Sequence, residues 1–275
     1  MSVTLELGHA SARLRCVVRD AEVGRGLYHL LPRHDLDGPG STTRTTWGER
    51  DVWLKHEPFS PAAARRHRLR ATLLRRPYPR LAEFGNLSWL RAHGFAAPEP
   101  LAAGVGTRRG RPAWQFLITE HLPSRGSLRE YLERRPEDLG ELLASLGERV
   151  AALHNAGFVH RDLFPRNVLV LPEDRVAFLD CWRGGPHRQL RGAAYDLACL
   201  FLFLERWLTV EEEARLLTAY LERRPSGEKA RGSWIRRVAR ERGRLMRRLE
   251  REPGRLRGGE LPGRTWRIAE PSRPD

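Results

Sequence analysis

Residues 154–170 read HNAGFVHRDLFPRNVLV, and this stretch decides the fold that the rest of the sequence must fit. Apolar residues at helical spacing precede it over 137–157, and the apolar run NVLVL follows at 167–171. Asp162 and Asn167 therefore stand on a loop between a predicted helix and a predicted strand. An ordinary polar turn would look similar, so residues elsewhere in the chain have to distinguish the two interpretations.

The segment HRDLFPRN matches H-R-D-L-x-x-x-N, the catalytic-loop signature of protein kinases, without a gap. In that chemistry Asp162 accepts the proton of an attacking hydroxyl, and Asn167 supplies an amide oxygen to a magnesium ion. The next apolar strand, RVAFLD, ends in Asp180, whose carboxylate is the expected second Mg²⁺ ligand. The three residues together predict phosphoryl transfer from a magnesium nucleotide.

The first half of the chain contains a lysine and a glutamate at the positions that this chemistry requires. Lys55 ends the strand pattern VWLK and is one of only two lysines, the other being Lys229. Glu83 opens a helical pattern over 81–93, where a carboxylate can hold the lysine against nucleotide phosphates. A compact ammonium at this position, in a chain dominated by arginine, favours a functional role.

The loop that would cover the phosphates is a weaker match. The segment DLDGPGS, residues 35–41, contains Gly38 and Gly40 but does not read G-x-G-x-x-G. The two glycines are predicted to bind the nucleotide, with a looser cover over its phosphates.

The secondary-structure patterns predict an α+β, two-lobed, protein-kinase-like fold. Residues 1–122 would form a small nucleotide-binding lobe with an antiparallel sheet and one main helix. Its strands are predicted at 13–19, 26–31, 42–47, 51–56, 98–106 and 113–121, and its helices at 61–76 and 81–93. Residues 123–252 would form a larger, mainly helical lobe with the catalytic loop, and residues 253–275 a flexible basic tail.

The composition is strongly basic, with 49 lysines and arginines against 34 acids and a formal charge of +15. This excess either attracts an anionic membrane, a phosphorylated substrate or nucleic acid, or reflects an arginine-rich coding bias. No aromatic-basic motif for reading bases is present, so nucleic acid is not expected as a partner. The basic segments 61–76 and 234–252 are candidates for contact with anionic lipid, and solvated helix faces explain them equally well.

Other features indicate a soluble, cytoplasmic protein. The sequence has no apolar run of 18 residues, and its start lacks the pattern of a secretory signal. Cys16, Cys181 and Cys199 are widely spaced without a C-x-x-C pair, which predicts neither a disulfide framework nor a zinc site.

On these residues the sequence resembles the bacterial lipopolysaccharide core kinases, which include heptose kinase and Kdo kinase. The resemblance extends from about residue 25 to about residue 222. Its distinctive segments are TRTTW with VWLKHE, LLRRPYPRLAEFGNLSWLRAHGFAAPEPLAAG, FLITEHL, HRDLFPRNVLV, and FLDCWRG followed by YDLACL.

The resemblance implies transfer of the ATP γ-phosphoryl group to a sugar hydroxyl of the lipopolysaccharide core, either a heptose or Kdo. The reaction would take place at the cytoplasmic face of the inner membrane, with possible peripheral contact to its anionic lipids. The adenine would lie near a hinge formed by Glu120, His121 and Leu122. Asp196 would be the helical carboxylate that steadies the catalytic loop.

The sequence also departs from related kinases. The heptose kinases commonly have His where Asn167 stands, and Asp180 is followed by Cys181 rather than Phe. No A-P-E motif follows, and little chain is left on which a peptide substrate could dock, so a small molecule or glycolipid is favoured over protein as acceptor. Phe164 stands where many kinases have a lysine, with Arg166 and Arg161 as candidates to supply that charge.

Each candidate residue alone has an ordinary explanation. Lys55 can be a strand-end charge, Glu83 a helix N-terminal acid and Asp180 a turn former. Their joint order and spacing favour a kinase. The remaining alternatives are a kinase of another small molecule or of protein, and a pseudokinase that binds a partner without transfer.

Overall fold

A computed structural model describes residues 2–9, 12–36, 38–137, 139–186, 192–224 and 231–252. The predicted tail at 253–275 lies outside the described residues. The chain divides into two compact units, Met1–Leu122 and Pro123–Asp275.

The first unit is built on a six-stranded sheet in which every neighbouring pair is antiparallel. Its strand order is β1-β2-β5-β6-β4-β3. The strands are β1 (Val3–His9), β2 (Ala12–Val18), β3 (Ser41–Trp47), β4 (Arg50–Pro58), β5 (Pro100–Arg108) and β6 (Arg111–Glu120). The predicted hairpin around Gly48 and the predicted strand pair β5–β6 are confirmed, whereas β1 was not predicted.

Strand β4 positions the lysine by simple alternation. Val52, Leu54 and His56 are buried on one face, so Trp53 and Lys55 project from the other. This places the ammonium group at the side of the sheet opposite to the apolar core residues of the same strand.

Three helices accompany this sheet: α1 (Ala21–Leu30), α2 (Pro61–Leu73) and α3 (Pro79–Ala92). The predicted strand at 26–31 is wrong, because these residues belong to α1 and the 3₁₀ turn Leu31–Arg33 that follows it. The Asp20 side chain caps α1 by accepting a hydrogen bond from the Val23 amide at 2.8 Å. Val23, Leu27 and Leu30 then recur at helical spacing and are buried in the core.

The second unit is mainly helical, with α4 (Leu128–Glu133), α5 (Gly140–Asn155), α6 (Ala193–Leu204), α7 (Val210–Glu222) and α8 (Arg231–Arg251). Helix α5 packs on α7, and α6 packs on α8. Two short ladders complete it: the predicted hairpin of β8 (Val168–Val170) and β9 (Val176–Phe178), and an unpredicted pair of β7 (Phe158–Val159) and β10 (Gly185–Pro186). The antiparallel sheet and the separate helices confirm the α+β class.

No helix in the described ranges is long and apolar enough to cross a membrane. The three cysteines are buried as free thiols.

Candidate active site

The predicted ion pair between Lys55 and Glu83 is present in the first unit. Lys55 Nζ lies 2.9 Å from Glu83 Oε1. The Glu83 side chain is 1% exposed and that of Lys55 is 24% exposed. Helix α3 starts at Pro79 and presents Glu83 in its first turns toward the sheet, where β4 presents the lysine. The carboxylate is therefore buried, while the ammonium keeps partial access to solvent.

A second cation, Arg80, binds the same carboxylate. Its Nη1 lies 2.5 Å from Glu83 Oε2, and its Nη2 lies 3.4 Å from Glu57 Oε2. Gln115 joins this network, since its Nε2 donates to Glu57 Oε2 at 3.0 Å and its Oε1 accepts from the Arg80 amide at 3.1 Å. The sequence analysis missed Arg80, although its position one helical turn before Glu83 is the signal that could have found it.

Gly38 and Gly40 both have packing roles in the loop before β3. The Gly38 amide donates to Asp35 Oδ1 at 3.0 Å, and a Cβ at Gly38 would lie 2.6 Å from Asp35 Oδ2. A Cβ at Gly40 would lie 3.3 Å from the His56 carbonyl oxygen of β4. In the described part of this segment a 3₁₀ turn, not a strand, precedes the glycines. Nucleotide binding by Gly38 and Gly40 stays a prediction.

The predicted adenine-binding segment directly follows β6. The Glu120 amide donates to the Glu99 carbonyl at 2.8 Å, and the His121 amide donates to the Asp51 carbonyl at 2.8 Å. Within the described residues the Leu122 amide makes no hydrogen bond, so it is the first backbone donor of this segment that remains available to a ligand.

In the second unit, Asn167 holds Asp162 through its side-chain amide. Asn167 Nδ2 donates to the Asp162 carbonyl at 2.8 Å and to Asp162 Oδ2 at 3.1 Å. Both side chains are buried. Because the amide nitrogen is used twice, the amide oxygen is the atom of Asn167 left to bind a cation.

Several charges act on Asp162. Burial raises its pKa, Arg166 and Arg183 oppose that increase, and the nearby carboxylate of Asp180 adds to it. Arg166 Nη2 lies 3.6 Å from Asp162 Oδ2. Asp180 follows β9 as predicted, with a left-handed φ of 54°. The structure thus brings Asp162, Asn167 and Asp180 into one neighbourhood.

Phe164 and Arg166 have separate roles in this loop. Phe164 is buried in an apolar cluster with Cys199 and Leu202 of α6 and Leu245 of α8. The Arg166 guanidinium lies 4.4 Å from the centre of the Phe164 ring. The aromatic residue therefore anchors the loop to the helices, and Arg166 is a cation close to Asp162.

Asp196 steadies the loop from α6, as the family resemblance implies. Its Oδ2 accepts from the His160 amide at 2.6 Å, and its Oδ1 accepts from the Arg161 amide at 2.7 Å. Arg161 has a φ of 60°, so these bonds hold a backbone conformation that arginine rarely adopts. Arg161 is therefore a structural residue of the loop.

A buried histidine and tyrosine continue this network, and the sequence analysis missed both. His154 Nε2 lies 3.2 Å from Asp196 Oδ2, and its Nδ1 lies 2.9 Å from the Tyr220 hydroxyl. The three side chains are fully buried and link α5, α6 and α7.

The predicted metal ligands are one amide and one carboxylate, Asn167 and Asp180. No group of three or more His, Cys, Asp or Glu side chains suited to a metal occurs in the part of the chain that the structure describes. Hard oxygen atoms of this kind suit Mg²⁺, which commonly retains water and phosphate oxygens as its other ligands.

Residues 61–220, more than half of the chain, match the sequence model of the lipopolysaccharide kinase (Kdo/WaaP) family. A 3-deoxy-D-manno-octulosonic acid kinase of Vibrio parahaemolyticus serotype O3:K6 is 32% identical over 98 residues, 36% of this chain and 40% of that protein. The enzyme of the same name from Vibrio cholerae serotype O1 is 31% identical over 98 residues, 36% of this chain and 41% of that protein. The aligned part therefore spans less than half the length of these curated relatives.

Solved structures of two other proteins are similar. WaaP in complex with acyl carrier protein matches over 82% of this chain and 88% of that chain, with 23% identity and a TM-score of 0.47. The bifunctional kinase-methyltransferase WbdD matches over 71% of this chain and 46% of that chain, with 23% identity and a TM-score of 0.43. The family match over 61–220 confirms the resemblance found in the sequence, and this protein belongs to the lipopolysaccharide kinase (Kdo/WaaP) family.

Proposed function

We propose that this protein transfers the γ-phosphoryl group of ATP to a sugar hydroxyl of the lipopolysaccharide core, on a heptose or Kdo residue. The observation that carries the proposal is the arrangement around Asp162. Asn167 fixes its side chain, and Asp196 fixes the backbone just before it. A carboxylate held in this way is suited to orient a hydroxyl and accept its proton.

Asn167 and Asp180 would hold Mg²⁺ through their oxygen atoms. When bound, the ion would supply charge neutralisation for the phosphate oxygens. Arg166 lies beside Asp162 and would add positive charge where the transferred group carries negative charge.

Lys55 would bind the nucleotide phosphates, since Glu83 orients its ammonium without burying it completely. Arg80 also binds Glu83. The carboxylate therefore attracts the Lys55 ammonium less strongly than it would if Lys55 were its only cation. Gly38 and Gly40 would approach the nucleotide through their backbone. The adenine would lie beside Glu120 and be bound by the backbone amide of Leu122, two residues further along the chain.

Arg166 and Arg183 both act electrostatically on Asp162, which supports an acceptor that carries negative charge near the reacting hydroxyl. The curated relatives that match this chain are named as kinases of such an acidic sugar. We expect the acceptor to be met at the cytoplasmic face of the inner membrane. A kinase of another small molecule or of protein is the alternative within enzymes, and a non-catalytic binding protein is disfavoured by the Lys55, Asp162, Asn167 and Asp180 set.

The test is transfer of ³²P from [γ-³²P]ATP, with Mg²⁺, to purified lipopolysaccharide that lacks core phosphate. The expected result is labelled lipopolysaccharide with the wild-type protein and none with Asp162→Ala, although the variant still binds ATP. Mass spectrometry of the labelled product, and of lipopolysaccharide from a deletion strain, would identify the sugar. Equal labelling by Asp162→Ala would contradict the proposal.

A further inference from the structure

Helix α2 of the first unit contributes no buried residue to a core. None of its residues is buried, although it has 13 residues and lies against β6. Its contact with the rest of the unit is light, and the ring of His67 lies 5.6 Å from that of Phe59. Most helices of this length are stabilised by burying one apolar face, so the outward surface of α2 requires another explanation.

The two faces of α2 differ in a consistent way. The partly buried positions are Ala63, Ala64, His67 and Ala71, which share one side of the helix and therefore face the protein. Arg65, Leu69 and Leu73 are spaced four residues apart on the opposite side. The leucines thus point directly away from the protein.

Exposed apolar residues are concentrated on this segment. Five large apolar side chains stand out as exposed in the described ranges, and three of them are Leu69, Leu73 and Leu74, which are 59%, 69% and 60% exposed. Single exposed leucines are common, but a stripe of them on the outer face of a helix marks a contact surface.

Arginines border the leucine stripe on both sides. By helical geometry Arg66 and Arg70 lie on one flank, and Arg65 and Arg68 on the other, and all four are exposed. No acidic residue occurs from position 58 to position 82. Long arginine stems can cover apolar surface while their guanidinium groups reach phosphate, which is the arrangement of helices that lie at a membrane interface.

The second basic segment identified in the sequence behaves differently. The apolar stripe of α8, which includes Trp234, Val238 and Leu249, is buried. Arg242 of α8 is also buried, paired with Glu205, and the exposed arginines such as Arg236 and Arg240 form the solvated face of a packed helix. Leu69 and Leu73 of α2 have no such cover from the residues that the structure describes in the first unit.

We propose that the outer face of α2, defined by Arg65, Arg66, Leu69, Arg70 and Leu73, inserts its leucines into an anionic lipid bilayer while its arginines bind the lipid phosphates. An anionic bilayer provides phosphates for the arginines and an apolar layer for the leucines, whereas nucleic acid would bind only the arginines. The proposal deepens the proposed function, because it identifies the surface through which the enzyme would meet a membrane-bound acceptor.

Vesicle co-sedimentation tests this without ATP or acceptor, so it can fail while phosphoryl transfer succeeds, and the reverse. Wild-type protein should bind phosphatidylglycerol-containing vesicles and bind phosphatidylcholine vesicles weakly. Leu69→Gln/Leu73→Gln should weaken binding about tenfold or more, because two exposed leucines lose their burial in the bilayer. Tyr28→Gln, at a residue 56% exposed on α1, is the matched control and should bind as wild type does.

The charge contribution is tested with two pairs of arginines at the same spacing. Arg66→Gln/Arg70→Gln on α2 should weaken binding about tenfold or more, because each arginine near an anionic surface adds to the attraction. Arg236→Gln/Arg240→Gln on α8 should change it by less than about twofold. Equal losses from the two pairs would point to general charge attraction and overturn the assignment.

A fluorescent label reports insertion directly. The three native cysteines are buried, so Leu73→Cys and the control Tyr28→Cys can each be labelled with an environment-sensitive dye. The emission at position 73 should shift to the blue on adding anionic vesicles, and that at position 28 should not. The proposal is overturned if position 73 shows no shift, if the leucine variant binds vesicles as wild type does, or if the leucine face binds an acidic soluble protein and no vesicle.

Discussion

Lys55 Nζ lies 2.9 Å from Glu83 Oε1, and the guanidinium of Arg80 occupies the other oxygen of the same carboxylate. A buried carboxylate needs opposite charge and hydrogen bonds to offset the loss of its hydration. Glu83 has two cations for this purpose, and one of them is Lys55, the lysine proposed to bind the nucleotide phosphates. The charge of this carboxylate is thus divided between two partners.

Because Glu83 also pairs with Arg80, we expect that Lys55 can be replaced without loss of the fold. Lys55→Met should leave Glu83 paired with Arg80 and lower phosphoryl transfer about 10²–10³-fold, the loss typical of one charged group that stabilises a transition state. Steady-state transfer and a thermal melt measure the two effects. Lys55→Arg is the matched control and should not restore activity, because a planar guanidinium differs in shape from an ammonium. Transfer within about twofold of wild type would contradict a role on the phosphates.

Arg80 should matter for stability. Arg80→Gln leaves Glu83 Oε2 buried without a cation and should lower the free energy of unfolding by about 1–3 kcal/mol. Urea denaturation measures this change. Arg44→Gln is the control on the same sheet, since the Arg44–Asp51 pair is 52% and 39% exposed and its loss should lower the free energy of unfolding clearly less. Equal losses from the two variants would show that Arg80 does not have the stabilising role assigned to it.

The sequence was sufficient to find the residues whose spacing is fixed by local structure. Asp162 and Asn167 lie on one turn of chain, and Lys55 lies on a strand with clear alternation. The network of Arg80, Glu57 and Gln115 was not predictable in the same way. It depends on side chains from a helix and two strands that meet only after the sheet has formed.

The error at 26–31 has a local cause. The window GLYHLL is short, and an apolar run of that length fits a strand as well as part of a helix. The helix becomes recognisable only when Asp20 is read as its cap and Val23 as the first member of the buried stripe. The outward position of the α2 leucines was not predicted, for a related reason. The sequence pattern shows which residues share one face of a helix, but not which face contacts the rest of the protein.

Asp162 should give the enzyme a particular pH dependence. Burial raises its pKa above the ordinary aspartate value, so the proton-accepting form is lost as pH falls through that raised pKa, earlier than for an exposed aspartate. The folded state then binds this proton more tightly than the unfolded state does. The ionised group therefore lowers stability at neutral pH, and this penalty disappears as the pH falls through the raised pKa.

Asp162→Asn should accordingly raise the melting temperature at neutral pH and abolish most transfer, with a loss of about 10²–10⁴-fold. The gain in melting temperature should shrink as the pH is lowered. Asp51→Asn serves as the control with the opposite sign, because hydrogen bonding to Arg44 lowers the pKa of Asp51. A lower melting temperature for Asp162→Asn at neutral pH would contradict the proposed cost of the buried charge.

Asp196 should act through the loop that it holds. In Asp196→Asn one of the two oxygens becomes an NH₂ group, so the amide of either His160 or Arg161 meets a donor instead of an acceptor. A hydrogen bond to a charged group contributes about 1.5–3 kcal/mol, and the variant should lose at least that much stability. Because Arg161 holds a left-handed φ of 60°, the loop should relax and displace Asp162.

A displaced Asp162 should lower kcat more than it raises the KM for ATP, since Lys55 and Leu122 belong to the other unit. Tyr220→Phe is the matched control, because it removes only the hydrogen bond at the far end of the same network, between the Tyr220 hydroxyl and His154 Nδ1. It should cost about 0.5–1.5 kcal/mol and have little effect on kcat. If Asp196→Asn and Tyr220→Phe lowered kcat equally, the effect would belong to the packing of α5, α6 and α7 and not to the two backbone hydrogen bonds that Asp196 accepts from the loop.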